Sequence, residues 1–276
     1  MYLRYYGLRE NPFNVTSDPN FLYLSKVHKD AIAHLMYGIN ERKGFLEITG
    51  EVGAGKTTLC KALLKRLAGN TKTAFILNSN LSELQLLEAI LIDFGLQPKR
   101  RAKIALFRQL NDFLLDELRK NANVVLILDE AQNLTFSTLE GIRLLSNLET
   151  DKQKLFQIVL VGQPQLRQKL NSPSLLQLRQ RIGVRFHIGP LGENETEQYI
   201  YHRINVASFE GKNNIRFAQQ ALEKIFKYSG GIPRLINLVC DKALLTGFVF
   251  ESRLIDGNVI DKSIHEIEGK AVEVGV

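Results

Sequence analysis

The chain has no tryptophan, two methionines and two cysteines, Cys60 and Cys240, among 276 residues. Neither cysteine has a partner at metal-ligand spacing, which excludes a disulfide framework or a thiolate metal cluster and points to a reducing cytoplasm. The start, Met1-Tyr2-Leu3-Arg4-Tyr5-Tyr6-Gly7, lacks the apolar core of a signal peptide. No apolar stretch approaches the roughly 20 residues needed to span a bilayer. A soluble chain without a membrane span is expected. Internal repeats and low-complexity tracts are absent as well. With 45% hydrophobic and 24% charged residues, the sequence can bury a good core, and its length exceeds the usual single domain, so two domains are expected.

The net charge is +7. Its densest cluster is Lys99-Arg100-Arg101-Ala102-Lys103, placed in a loop by the preceding Gln97-Pro98. Clustered cations gain from counterion release on nucleic acid or an anionic membrane. The alternative is a solvated loop or helix face.

The strongest chemical signal is Gly50-Glu51-Val52-Gly53-Ala54-Gly55-Lys56-Thr57-Thr58. It follows the apolar run Phe45-Leu46-Glu47-Ile48-Thr49 and precedes the helix-like Leu59-Cys60-Lys61-Ala62-Leu63-Leu64. This is a phosphate-binding loop in the strand, loop and helix context it requires. Gly50, Gly53 and Gly55 are expected to adopt conformations closed to residues with a Cβ, so that successive N–H groups point at phosphate oxygens. The helix beginning near Lys56 adds its positive end. Lys56 would place a charge on the β- and γ-phosphates, the Thr57 hydroxyl would ligate Mg²⁺, and Thr58 is an additional phosphate contact.

Around that loop, apolar strand-like runs alternate with longer helical patterns. Strands are expected at 73–78, 124–128, 157–161 and 184–188, with helices at Leu84–Phe94, Ile104–Leu118 and about Ser137–Leu148. Strands without polar alternation, separated by helices, imply a parallel sheet covered on both faces. Beyond Gly189-Pro190 the strand signals stop. The expected organisation is therefore an α/β nucleotide-binding domain over residues 1–190, with 1–44 as an N-terminal linker segment, and a helical domain over 191–276. Breaks in the latter are expected at 210–213, 229–233 and 256–257.

Three further features belong to the same chemistry. Asp129 and Glu130 follow the apolar run Val124–Leu128, and ligands in open α/β sheets sit at the carboxyl ends of strands. Asp129 would help Thr57 hold Mg²⁺, and Glu130 would polarise an attacking water. Gln163, after Gln157–Val161 and Gly162, could report the γ-phosphate or hold the water; it could equally be a turn residue before Pro164. Arg179, Arg181 and Arg185 cluster before the last strand and suit transition-state charge supplied from a neighbouring subunit, or else form a surface basic patch. In Gly230-Gly231-Ile232-Pro233-Arg234, proline suits a first helical turn, where the dipole repels Arg234. A tertiary anion such as the γ-phosphate explains an arginine there.

Phosphate loop, Asp-Glu strand end, polar strand end, arginine pair and Gly-Ile-Pro-Arg helix, in this order, resemble an AAA+ ATPase. Tyr6-Gly7-Leu8-Arg9-Glu10-Asn11-Pro12-Phe13, Asp18-Pro19-Asn20-Phe21-Leu22-Tyr23, Tyr37-Gly38-Ile39 and Gly162-Gln163-Pro164 resemble the general secretion pathway protein A (ExeA-type) ATPases. The resemblance implies an α/β P-loop NTPase fold: a five-stranded parallel sheet in the order 5-1-4-3-2 flanked by helices, and a C-terminal all-helical lid. It also implies ATP and Mg²⁺ bound at a subunit boundary, hence a homo-oligomer with inter-subunit ATP sites. Carried over to this chain, Pro12-Phe13 and Tyr37-Gly38-Ile39 would flank the adenine. Gln163 would be sensor 1, Arg181 the arginine finger with Arg185 as alternate, and Arg234 sensor 2. The longer members continue into a membrane span and a peptidoglycan-binding region, and peptidoglycan binding is not carried over.

Two functions follow. One is an ATP-hydrolysing assembly factor acting on a protein partner in a secretion or cell-envelope complex, cytoplasmic or peripheral at the inner membrane. The other resembles the TniB and TnsC regulators of transposition, AAA+ proteins that polymerise on DNA. The N-terminal block and Gly-Gln-Pro favour the first; the net charge and the 99–103 cluster favour the second.

Overall fold

A computed structural model describes residues 2–14, 16, 18–67, 69–77, 80–149 and 153–269. The chain divides into two units, Lys26–Glu51 with Lys56–Ile188, and Met1–Ser25 with Val52–Gly55 and Gly189–Val276. A short helix, α1 (Tyr2–Tyr6), leads the second of these. The first unit runs α2 (Lys26–Asn40), β1 (Phe45–Gly50), α3 (Lys56–Leu67), β2 (Thr71–Ile76), α4 (Glu83–Asp93), α5 (Lys103–Arg119), β3 (Asn123–Leu128), α6 (Phe136–Leu145), β4 (Gln157–Gly162), α7 (Pro164–Leu170), α8 (Leu176–Gln180) and β5 (Ile182–Ile188).

The five strands are parallel, in the order β2-β3-β4-β1-β5, which is the expected 5-1-4-3-2 read from the other edge. Burial follows from that order. The inner strands β1 and β4 are buried at every position, whereas the edge strands β2 and β5 mix buried and exposed positions. Helices on both faces demand unbroken apolar runs only from the inner strands. Thr49 lies opposite Gly162 and Leu128 opposite Leu160, so the carboxyl ends of β1, β3 and β4 emerge side by side along one edge. In open α/β sheets that edge is where ligands bind.

Element boundaries shift where capping decides them. The helix expected at 137–148 is α6, started one residue earlier by Thr135, whose hydroxyl accepts from the Thr138 N–H, and it ends at Leu145. The strand expected from Val184 begins at Ile182, beside a register shift at Phe45/Leu46. The run expected at 73–78 is β2, shifted towards its N-terminus; Asn78 lies outside the described residues, as do residues 270–276.

The second unit contains α9 (Glu193–Ala207), β6 (Arg216–Phe217), α10 (Gln219–Ser229), α11 (Pro233–Val249), β7 (Leu254–Ile255) and α12 (Gly257–Ile267). The C-terminal region is helical, with one correction: β6 and β7 pair in parallel, Arg216 with Leu254 and Phe217 with Ile255. Two-residue strands leave no periodicity for a sequence to show. A second difference concerns residues 1–25, expected with the sheet. Tyr6, Leu8, Phe13 and Phe21 instead share a core with Ile200, Ile204, Ile225, Val239 and Leu244 of the C-terminal helices. The buried Arg203 fastens them there, donating to the carbonyls of Pro12 and Asn14 and stacking 4.8 Å over the Phe21 ring.

Candidate nucleotide site

The loop between β1 and α3 uses its glycines for two different reasons. Gly53 and Gly55 take φ of 82° and 89°, the left-handed region that favours glycine. Gly50 does not share that conformation, contrary to expectation. A Cβ there would come 2.7 Å from the Ile188 carbonyl oxygen, so Gly50 lets β1 and β5 approach. Glu51 and Val52 are exposed, Ala54 is buried, and Thr58 is half-buried.

Lys56 opens α3 with its side chain turned into the loop, where Nζ donates to the carbonyls of Gly50 at 2.8 Å and Glu51 at 2.9 Å. Burial lowers its pKa, and the nearby Glu130, Asp129 and Glu51 carboxylates act against that shift. One residue on, the Thr57 hydroxyl donates to Asp129 Oδ2 at 2.5 Å. Asp129 is almost fully buried, and its Oδ1 accepts the Glu130 N–H at 2.9 Å. Burial raises its pKa, with the bonds from Thr57 and the Glu130 N–H opposing the shift. Thr57 and Asp129 thus present two hard oxygen donors at one point. Among the described residues no group of three or more His, Cys, Asp or Glu could hold a metal by itself. A pair of oxygens fits a cation that arrives with phosphate, as Mg²⁺ does.

Glu130 adopts a left-handed conformation, φ 51° and ψ 35°, which costs a side-chain-bearing residue about 1–3 kcal/mol. The turn carries Gln132 back beneath it. Gln132 Nε2 donates to Glu130 Oε2 at 2.5 Å, and Gln163 Nε2 donates to the same oxygen at 3.1 Å. Asp129, Glu130 and Gln163 are therefore brought together along the sheet edge. Gln132 was not foreseen, nor was Lys169, whose Nζ donates to the carbonyls of Gln132 and Leu134. An amide two residues after Asp-Glu is a sequence signal only once the turn is known.

Arg234 falls in the first turn of α11, after Pro233, and its side chain is exposed. Its N–H donates to the Gly53 carbonyl at 3.3 Å, and a Cβ on Gly53 would lie 2.4 Å from the Arg234 Cβ. Arg234 therefore packs against Gly53. Phe13 is a core residue at 1% exposure, and Pro12 is buried as well. Ile39 is fully buried and Tyr37 exposed; Gly38 sits where a Cβ would meet Leu46. The arginines differ in what engages them. Arg185 lies opposite Glu47 across β1 and β5 and pairs with that buried carboxylate at 3.5 Å. Arg181 donates to the Ser146 hydroxyl at 2.9 Å and to Asn147, while Arg179 is exposed.

No helix among the described residues is long and apolar enough to cross a membrane. A protein-family model, the AAA domain, matches residues 39–170. General secretion pathway protein A of Aeromonas hydrophila is 44% identical over 270 residues, which is 98% of this chain and 49% of that protein; the chain spans about half the length of this relative. Among solved structures, the Aeropyrum pernix ORC2 protein in its ADP form superposes with a TM-score of 0.70 at 17% identity, covering 96% of this chain and 75% of that one. The Aeropyrum pernix ORC1 protein in complex with DNA gives 0.68 at 13%, covering 96% and 70%. At those identities the likeness concerns the fold. With the phosphate loop and the Asp-Glu strand end inside the matched region, the chain is an AAA domain protein, related along nearly its whole length to general secretion pathway protein A.

Proposed function

We propose that this chain is a Mg²⁺-dependent ATPase that oligomerises around ATP and uses the cycle to assemble a secretion or cell-envelope complex. The observation that carries the chemical part is the part-buried hydrogen bond between Thr57 and Asp129 beside the Lys56 ammonium. Lys56 and the loop N–H groups would hold the phosphates, with Arg234 as a further cation for the γ-phosphate. Thr57 and Asp129 would hold Mg²⁺, which neutralises charge developing on the phosphoryl oxygens. Glu130 would take the proton of the attacking water, with Gln163 beside it as the polar group nearest the γ-phosphate. Tyr37, which is exposed, borders the adenine in this reading. Of the arginines, Arg181 is the better finger, because its present partners are neutral while Arg185 balances a buried carboxylate. The assembly role rests on the likeness to general secretion pathway protein A over 98% of the chain.

The basic cluster supports a second reading, DNA binding in the manner of a transposition regulator. Half of its cations are already engaged: Arg101 pairs with Glu88 at 3.2 Å and Lys103 with Glu83 at 2.7 Å, leaving Lys99 and Arg100 as exposed charge. Light scattering with ATP, run with and without a labelled duplex whose anisotropy is followed, separates the two. Growth to a larger particle with ATP alone, absent in Lys56→Ala, supports the first. Growth only on DNA, with steep salt dependence, supports the second.

A further inference from the structure

Between Glu130 and Gln163 lies a side chain to which no role in nucleotide chemistry has been assigned. Gln132 Oε1 accepts the Gln163 backbone N–H at 3.1 Å while its Nε2 donates to Glu130 Oε2 at 2.5 Å. The backbone N–H can only donate, so it fixes which end of the amide is oxygen, and Nε2 must face the carboxylate. Two features keep the amide in place. Lys169 ties down the Gln132 carbonyl from α7, and Gly162 leaves room for the amide oxygen, since a Cβ there would lie 2.7 Å from it.

We infer that Gln132 is a positioning residue for ATP hydrolysis: it holds the Glu130 carboxylate by one oxygen and locks it to the strand end that carries Gln163. The inference rests on the proposed hydrolytic reading. Both donors converge on Oε2, and Oε1 is the oxygen left to take the proton of the water. Gln163 is also the amide proposed to meet the γ-phosphate. Its Nε2 turning towards phosphate would leave Gln132 as the donor keeping Glu130 in place, so the carboxylate stays aimed when nucleotide binds. Gln132 therefore matters for the chemical step and little for holding the nucleotide.

The test compares wild type, Gln132→Met, Gln132→Glu and Lys169→Met. Steady-state kcat and KM for Mg·ATP, the Kd of a fluorescent ATP analogue and the urea midpoint are measured for each. A catalytic group misplaced by about an ångström loses on the order of 100-fold in rate. Gln132→Met, similar in shape but without donors, should lower kcat by about 10- to 100-fold. KM, Kd and the urea midpoint should stay near wild type. Gln132→Glu should lose at least as much, because it sets a like charge against Glu130. Lys169→Met should lose less, with the same split. Undiminished kcat in Gln132→Met overturns the inference, as does a fall in kcat matched by equal losses in nucleotide affinity and stability. A wild-type chain that binds the analogue without turnover sinks the hydrolytic reading, and this inference with it. That result is distinguishable because it appears before any substitution is made.

Discussion

Asp129 and Lys56 are both displaced from their ordinary titration by burial, in opposite directions. Asp129 must be ionised to serve a cation, and its raised pKa means that protonation sets in at a higher pH than for an exposed aspartate. Lys56 must be charged to serve a phosphate, and its lowered pKa means that it loses its proton at a lower pH than an exposed lysine. Affinity of the site for Mg·ATP should therefore fall from both sides, within the limits of about 3.9 and 10.4 set by free side chains. Nucleotide titrations across pH check this. Omitting Mg²⁺ should remove the acid limb and leave the alkaline one. At this scale the sequence was most legible where a short motif states its own geometry, as in residues 50–58 and Asp129-Glu130. It was least legible where the partner lies far along the chain. Arg203 meets Pro12 across 191 residues, and nothing in either neighbourhood announces the bond.

Elements were legible in proportion to their length and burial. The inner strands read directly because both faces are covered, whereas β6 and β7 are two residues each and left no pattern. The Gly230-Gly231 break before α11 was also visible, yet the two glycines do different things. Gly230 has φ 56° with open space around it, so Gly230→Ala should cost only about 1–2 kcal/mol for the left-handed conformation. Gly231 has φ 75°, and a Cβ there would lie 2.0 Å from the Leu191 carbonyl oxygen, whose residue also donates its N–H to the Gly231 carbonyl. Gly231→Ala should cost more, about 2–4 kcal/mol, because strain and a backbone clash combine. Urea denaturation of the two variants provides the comparison. Equal midpoints would mean that the link between Gly231 and Leu191 is not structural.

At the scale of the molecule, alternating strands and helices specified the layered parallel sheet, and the resemblance supplied its order. The grouping of residues 1–25 with the C-terminal helices was not legible, because Tyr6, Leu8, Phe13 and Phe21 follow no period that favours one core over the other. The proposed inter-subunit mechanism depends first on whether this chain hydrolyses ATP through Glu130. The most direct measurement is ATP turnover by wild type and Glu130→Gln, with nucleotide affinity followed in parallel. The account predicts turnover in the wild type, and in Glu130→Gln an affinity within a few-fold of wild type with a rate lower by about 100-fold or more. Turnover in Glu130→Gln at the wild-type rate would contradict it.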